Sequence, residues 1–263
     1  VIVLDTDIER AKKPLKKLPN CITSFNAEGY KRYGKDFVDS WLKYWPSSIR
    51  LTVFYEGEES DFEMVPGVSW HPIESVEFLK DFMDGLRFPI MNGLVGDHYD
   101  INYDARMCRK VFMQVHASRL YRGKVFWIDG DSVTYKHVPE TFLDECLPDE
   151  ALCCFLGRDG WYYTESGFLG INADHPIAGR FLKNYVHVPI VGTNFTQQGW
   201  HDCFVFDAVR HVMGNGPEFV NLAKHVRHGH MHPFQVSAPG QYMMHLKGKR
   251  KDTKQLRPED TVN

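Results

Sequence analysis

Two acidic residues spaced two apart, Asp129-Gly130-Asp131, close the apolar run Val125-Phe126-Trp127-Ile128. Both carboxylates can reach one divalent cation, directly or through water, while the glycine lets the chain turn tightly and brings the backbone close to a ligand. The same residues also make an ordinary Asp-Gly turn without a metal, so the motif by itself leaves both readings open. A second grouping lies far downstream, His245-Leu246-Lys247-Gly248-Lys249-Arg250-Lys251. An imidazole can complete the shell of a divalent ion, a glycine exposes its backbone N–H to a phosphate, and several cations neutralise a diphosphate. The plainer reading of this run is a solvated basic tail.

The elements that must position these groups alternate along the chain. Residues 1–20 read as a short strand, Val1 to Leu4, and a linker containing the basic, proline-punctuated stretch Lys12 to Pro19. From there the pattern predicts a strand Cys21 to Phe25, a helix Asp36 to Tyr44, a strand Arg50 to Tyr55 and a helix Val76 to Gly85. Residues 86 to 103 read as a loop, and a helix follows over Asp104 to Tyr121, with Met107, Cys108, Val111, Phe112 and Val115 on one face. The run Lys124 to Ile128 has four consecutive apolar residues, the mark of a central strand buried on both faces. A helix Glu140 to Cys146, strands Ala151 to Leu156 and Gly167 to Asn172, and helices Ile177 to Tyr185 and Asp202 to Met213 complete the body. Strands alternating with helices predict one α/β domain with a parallel-rich sheet. In such sheets ligands sit beyond the carboxyl ends of the strands, where Asp129 and Asp131 fall.

DxD followed far downstream by HxxGxxK resembles the retaining glycosyltransferase family of glycogenin and the bacterial lipopolysaccharide galactosyltransferases, over roughly Cys21 to Lys251. Other parts agree in order: a first strand ending Thr23-Ser24-Phe25-Asn26, a basic helix ahead of the DxD, and the small-residue strand Glu165-Ser166-Gly167-Phe168-Leu169-Gly170-Ile171-Asn172. The family's Pro-Trp after the last Lys is here Asp252-Thr253, and its acidic-Gln-acidic segment is Trp200-His201-Asp202. The resemblance implies a single GT-A (Rossmann-like) domain over residues 21–246, with a mixed, mostly parallel central sheet flanked by helices. Four cations among the five residues Lys247 to Lys251, beside a His and a Gly in a chain of slightly negative net charge, give the expectation that the basic segment 247–263 closes on the donor. The resemblance assigns Mn2+ (or Mg2+) to Asp129, Asp131 and His245, the donor diphosphate to Gly248 and Lys251, and the nucleotide to Phe25, Asn26 and Tyr30.

Several further residues carry two readings. Arg106 and Lys110, one helical turn apart, can meet the donor phosphates or form a solvated face. Asn26 after a strand is also ordinary turn chemistry. Glu56, at the end of the second strand, can take a ribose or base hydrogen bond. Asp202 opens a helix, so it either caps it or faces the acceptor hydroxyl as a catalytic carboxylate, and Glu165 is the second candidate for that work.

The chain has 263 residues and a formal net charge of -3, so it carries no overall basic field of the kind that draws nucleic acid. Six cysteines without a CxxC pair fit reduced thiols and a cytoplasmic protein. No run approaches the roughly 18 apolar residues of a transmembrane helix, and no signal sequence opens the chain. The expected reaction is sugar transfer from a nucleotide diphosphate sugar, UDP-sugar favoured, to a glycan, lipid-linked or protein acceptor. Two alternatives stand beside it: a haloacid-dehalogenase-type phosphatase, because Asp-x-Asp also occurs at Asp5-Thr6-Asp7, and a non-catalytic carbohydrate- or nucleotide-binding module.

Overall fold

The computed structural model describes residues 18–84, 101–158, 163–191, 201–223 and 232–253, without the side chains of 101–106 and 190–191. The expected strand at Val1 to Leu4, Asp5-Thr6-Asp7, Trp200 and the chain beyond 253 lie outside the described residues, as do 86–100 of the expected loop.

The main sheet begins with β1 (Asn20–Asn26), β2 (Arg50–Glu56) and β3 (Val68–Pro72). It continues with β4 (Lys124–Ile128), β6 (Cys153–Leu156), β7 (Glu165–Asn172) and β8 (Phe219–Asn221). Its order is β3-β2-β1-β4-β7-β6-β8. Only the pairs that β7 makes with β4 and β6 are antiparallel, so the sheet is mixed and mostly parallel, as expected. Strands β3 and β8 lack the apolar runs that make β4 legible, because both lie at edges and are only partly buried.

Helices cover both faces. On one side pack α2 (Ile101–Tyr121), α4 (Ala178–Val191) and α5 (Asp202–Val212), burying Cys108, Val111, Phe112, Val115, Phe181 and Phe206 against Val125 and Trp127. On the other, α1 (Lys35–Tyr44) and α3 (Phe142–Cys146) bury Phe37, Val38, Trp41 and Phe142 against Phe126 and Ile128. Alternate residues of β4 thus enter opposite cores, which accounts for the uninterrupted apolar run.

Several boundaries differ from the sequence expectation. The helix expected from Val76 starts at 79, after a tight turn Ile73–Ser75. Helix α2 starts at Ile101, α4 runs past Pro189 to Val191, and β7 starts two residues earlier, at Glu165.

A separate two-stranded ribbon matters most for the site: β5 (Ser132–Thr134) pairs antiparallel with β9 (Met243–His245), Ser132 opposite His245. This pairing carries the end of the chain back to the acidic motif. Among the described residues no helix is long and apolar enough to cross a membrane.

Candidate active site

The turn after β4 is set by backbone bonds and by one glycine. Asp129 N–H donates to Gly167 O and Ser132 N–H donates to Asp129 O, each at 2.9 Å. A Cβ on Gly130 would collide with the Phe25 ring and stand 3.1 Å from Ser24 O, so only glycine lets the turn lie down on β1. Phe25 is 3% exposed and forms the floor of this turn.

The ribbon delivers His245 to the same place. Its Nε2 is 2.8 Å from Asp131 Oδ1 and 3.5 Å from Asp129 Oδ2, while Nδ1 is 3.6 Å from Glu165 Oε1. A Cβ on Gly167 would be 2.9 Å from that Nδ1, so the small residue in β7 makes room for the imidazole. One ligand atom each from Asp129, Asp131 and His245 lies within 4.8 Å of the others. Two hard carboxylates and one imidazole suit Mn2+ or Mg2+, so these residues fit the metal that the resemblance implies.

These groups line a cleft of about 540 Å³. Four carboxylates face it (Asp129, Asp131, Glu165, Asp202), matched by four cations (Lys110, Arg158, Lys247, Lys251). Lys110 Nζ lies 2.7 Å from both Asp129 Oδ1 and Asp202 Oδ2 and donates to Ser166 Oγ at 3.1 Å. Lys251 Nζ is 2.7 Å from Asp131 Oδ2. Glu165 Oε2 receives Arg158 and Lys247 at 2.6 Å each, and His232 Nε2 approaches to 3.1 Å. Trp127 Nε1–H donates to Asp129 Oδ1 at 2.6 Å.

Burial and charge pull the protonation states in opposite directions, and charge wins at most of these groups. Burial favours neutral carboxyls at Asp131, Glu165 and Asp202. The His245 and Lys251 charges hold Asp131 well below the carboxylate range, a hydrogen bond with His232 and the His245 and Lys247 charges do so for Glu165, and Lys110 lowers Asp202. Burial also disfavours the charged forms of Lys110 and His245. Asp129 and Asp202 nonetheless raise Lys110 well above its usual value, and Asp131, Asp129 and Glu165 raise His245. At His232 burial prevails and its pKa is lowered.

The C-terminal segment is anchored in this arrangement. Gly248 has φ +60°, a left-handed turn that glycine adopts freely, and short helix α6 (Arg250–Thr253) follows. Arg250 Nη2 donates to His245 O at 3.2 Å, and Arg32 makes two bonds to Asp252, at 2.5 and 2.7 Å.

Of the residues singled out in the sequence, Asp129, Asp131, His245, Lys110, Glu165, Asp202, Gly248 and Lys251 all meet at this cleft. Asn26, Tyr30, Glu56 and Phe25 do not line it. Asn26 Oδ1 accepts from Gly29 N–H at 2.7 Å, Tyr30 O–H donates to Glu63 O at 3.3 Å, and Glu56 pairs with Arg109 at 2.7 Å. The side chain of Arg106 lies outside those described. Asp202 is not the cap of its helix: His201 Nδ1 accepts from Phe204 N–H at 3.3 Å, and Asp202 is buried against Lys110.

Sequence reasoning missed Arg158, His232 and Tyr33 as walls or partners of the cleft. His232 closes a histidine-rich run, His225, His228, His230 and His232, which was a usable signal. Arg158 and Tyr33 stand in no pattern that sets them apart.

No family model matches the chain, and no curated protein matches it in sequence. Solved structures do resemble it. The apo form of the WbbM bifunctional glycosyltransferase is 13% identical with a TM-score of 0.51, covering 81% of this chain and 40% of that one. Mouse xyloside xylosyltransferase 1, apo form, is 15% identical with a TM-score of 0.48, over 77% of this chain and 84% of that one. The glycosyltransferase GlyE of Streptococcus pneumoniae TIGR4 is 12% identical with a TM-score of 0.44, over 80% and 45%. The chain thus spans less than half the length of WbbM and of GlyE. Its sheet order, flanking helices and likeness to the first of these give it the GT-A-type fold of glycosyltransferases.

Proposed function

We propose that this chain transfers a sugar from a nucleotide diphosphate donor, UDP-sugar favoured, to an acceptor hydroxyl, with a divalent ion held by Asp129, Asp131 and His245. The observation that carries this reading is the convergence of those three groups beside the basic segment Lys247 to Lys251, at the carboxyl end of β4.

Breaking the anomeric C–O bond builds negative charge on the departing diphosphate. Bound Mn2+ or Mg2+ supplies Lewis-acid stabilisation of that charge. The chain supplies the rest. Lys247 and Lys251 sit where they can leave their carboxylates for phosphate oxygens, and the left-handed Gly248 exposes its N–H between them. Because the acids and bases of the cleft are matched, an anion that draws off the lysines leaves carboxylates unpaired. Donor and cation therefore bind best together.

Asp202 stays ionised beside Lys110, which makes it a weak base at neutral pH. It suits positioning the reacting groups better than taking a proton. That supports retention with same-face attack, in which the leaving diphosphate accepts the acceptor proton. Arg106 belongs to the same reading as a donor-phosphate residue, whereas Asn26, Tyr30, Phe25 and Glu56, expected on the nucleotide side, do not line the cleft and are left out of it. The test is a screen of nucleotide sugars for slow hydrolysis by the purified protein, with Mn2+ and with EDTA. Release of a nucleoside diphosphate from at least one donor, dependent on metal, is expected; no release from any donor contradicts the proposal.

A further inference from the structure

Glu165, one of the two carboxylates expected to face the acceptor, lines the cleft yet is only 4% exposed. Its two oxygens meet different partners. Arg158, Lys247 and His232 gather at Oε2, at 2.6, 2.6 and 3.1 Å. Oε1 accepts from Gly167 N–H at 3.3 Å and lies 3.6 Å from His245 Nδ1. That ring nitrogen is buried and has no hydrogen-bond partner among the described residues. Leaving it so is costly, and Oε1 is placed to receive its proton.

The two histidines around Glu165 take opposite tautomers. Phe234 N–H donates to His232 Nδ1 at 3.3 Å, so a neutral His232 carries its proton on Nε2, the atom that faces Oε2. On His245 the order reverses, because Nε2 faces Asp131 and Asp129 and needs its lone pair to ligate a cation. Ligand atoms of Glu165, His232 and His245 also come within 4.8 Å of one another, but a second cation among them would meet a protonated Nε2 and the two cations already on Oε2. We infer that Glu165 is a positioning residue: it accepts a hydrogen bond from His245 Nδ1–H and so turns the Nε2 lone pair toward the cation at Asp129 and Asp131. The 3.6 Å contact becomes a hydrogen bond with a shift of about 0.5 Å, as contacts in an empty site do when it fills. This rests on the transferase reading above and takes Glu165 out of proton transfer.

Glu165→Gln keeps the shape and reverses the preference. Its amide oxygen goes to the three donors that gather at Oε2, which leaves the NH2 group facing His245 Nδ1 and favours the Nε2–H tautomer. Mn2+ binding in the presence of UDP is measured by EPR on the wild type and Glu165→Gln, with the nitrogen hyperfine coupling of a ligating histidine as the signature. Long-range 1H–15N NMR of the wild type with Mg2+ and UDP reads both tautomers without any substitution. The wild type should show one coupled histidine nitrogen, His245 as Nδ1–H and His232 as Nε2–H. Glu165→Gln should bind Mn2+ about tenfold more weakly and lose the coupling. Unchanged affinity and coupling in a folded Glu165→Gln, or either wild-type tautomer reversed, overturns the inference; if the variant does not fold, the wild-type tautomers decide alone. A wild type that binds no Mn2+ with UDP sinks the metal-dependent transferase reading and this inference with it, whereas a coupled nitrogen that survives Glu165→Gln sinks only the role of Glu165.

Discussion

Strands β1, β2 and β4 run parallel, so their carboxyl ends share one edge of the sheet, yet the side chains there do different work. At the ends of β1 and β2 each polar group meets one partner: Asn26 holds Gly29, and Glu56 holds Arg109. Beyond β4, carboxylates are met by Lys110 from α2, His245 from β9 and Lys251 from α6. Two of the four acids of the cleft, Glu165 and Asp202, are almost wholly buried. Burying so many charges is a poor route to stability, because desolvation offsets most of the Coulombic gain. A network of that kind is better explained by a ligand that exchanges for its members.

That contrast ranks the consequences of substitution. Asp202→Asn, inside the network, should lower kcat about a hundredfold while changing donor affinity only about twofold, as steady-state kinetics and calorimetry would read. If stability alone changed, the network would be structural. The helix cap would not explain it, since that is His201.

Glu165 gives a smaller, pH-dependent effect. Its carboxyl is held well below the ordinary range, against burial, by His232, His245 and Lys247. A depressed carboxyl pKa adds stability that is present above the unfolded value and lost as pH falls through the folded one. Melting temperatures between pH 7 and pH 3 should therefore fall steeply in the wild type. Glu165→Gln should melt lower at neutral pH and show a shallower acid limb; parallel curves would remove Glu165 from the network.

At the other strand ends, Glu56→Gln should be the mildest. The Glu56 side chain is 44% exposed, and its ion pair contributes about 1 kcal/mol or less. Donor affinity should stay within about twofold, since its partner is Arg109 and it does not line the cleft. A tenfold loss would show that this edge also holds the nucleotide.

The same contrast marks what the sequence made legible. The apolar run of β4 and the spacing of Val111, Phe112 and Val115 are periodic signals, and they located the central strand and its covering helix. DxD and HxxGxxK are local patterns of unusual residue types, and the groups they contain do meet. What stayed hidden depends on pairing between distant segments. The β5–β9 ribbon is three residues long on each side, too short for a period, yet it seats His245 beside Asp131. Asp202 was ambiguous for a related reason: its partner Lys110 lies on another helix, and local sequence reported only a helix start. Arg158 joins through an ion pair with Glu165 that no spacing announces.

The central claim is that Asp129, Asp131 and His245 form one metal-dependent donor site. Titration calorimetry of UDP into the wild type and into Asp131→Asn, each with Mn2+ and with EDTA, tests it most directly. The account predicts that Mn2+ tightens UDP binding to the wild type by at least about tenfold, and that Asp131→Asn abolishes this gain while remaining folded by circular dichroism. The same Mn2+ enhancement in a folded Asp131→Asn protein, or none in the wild type, would contradict it.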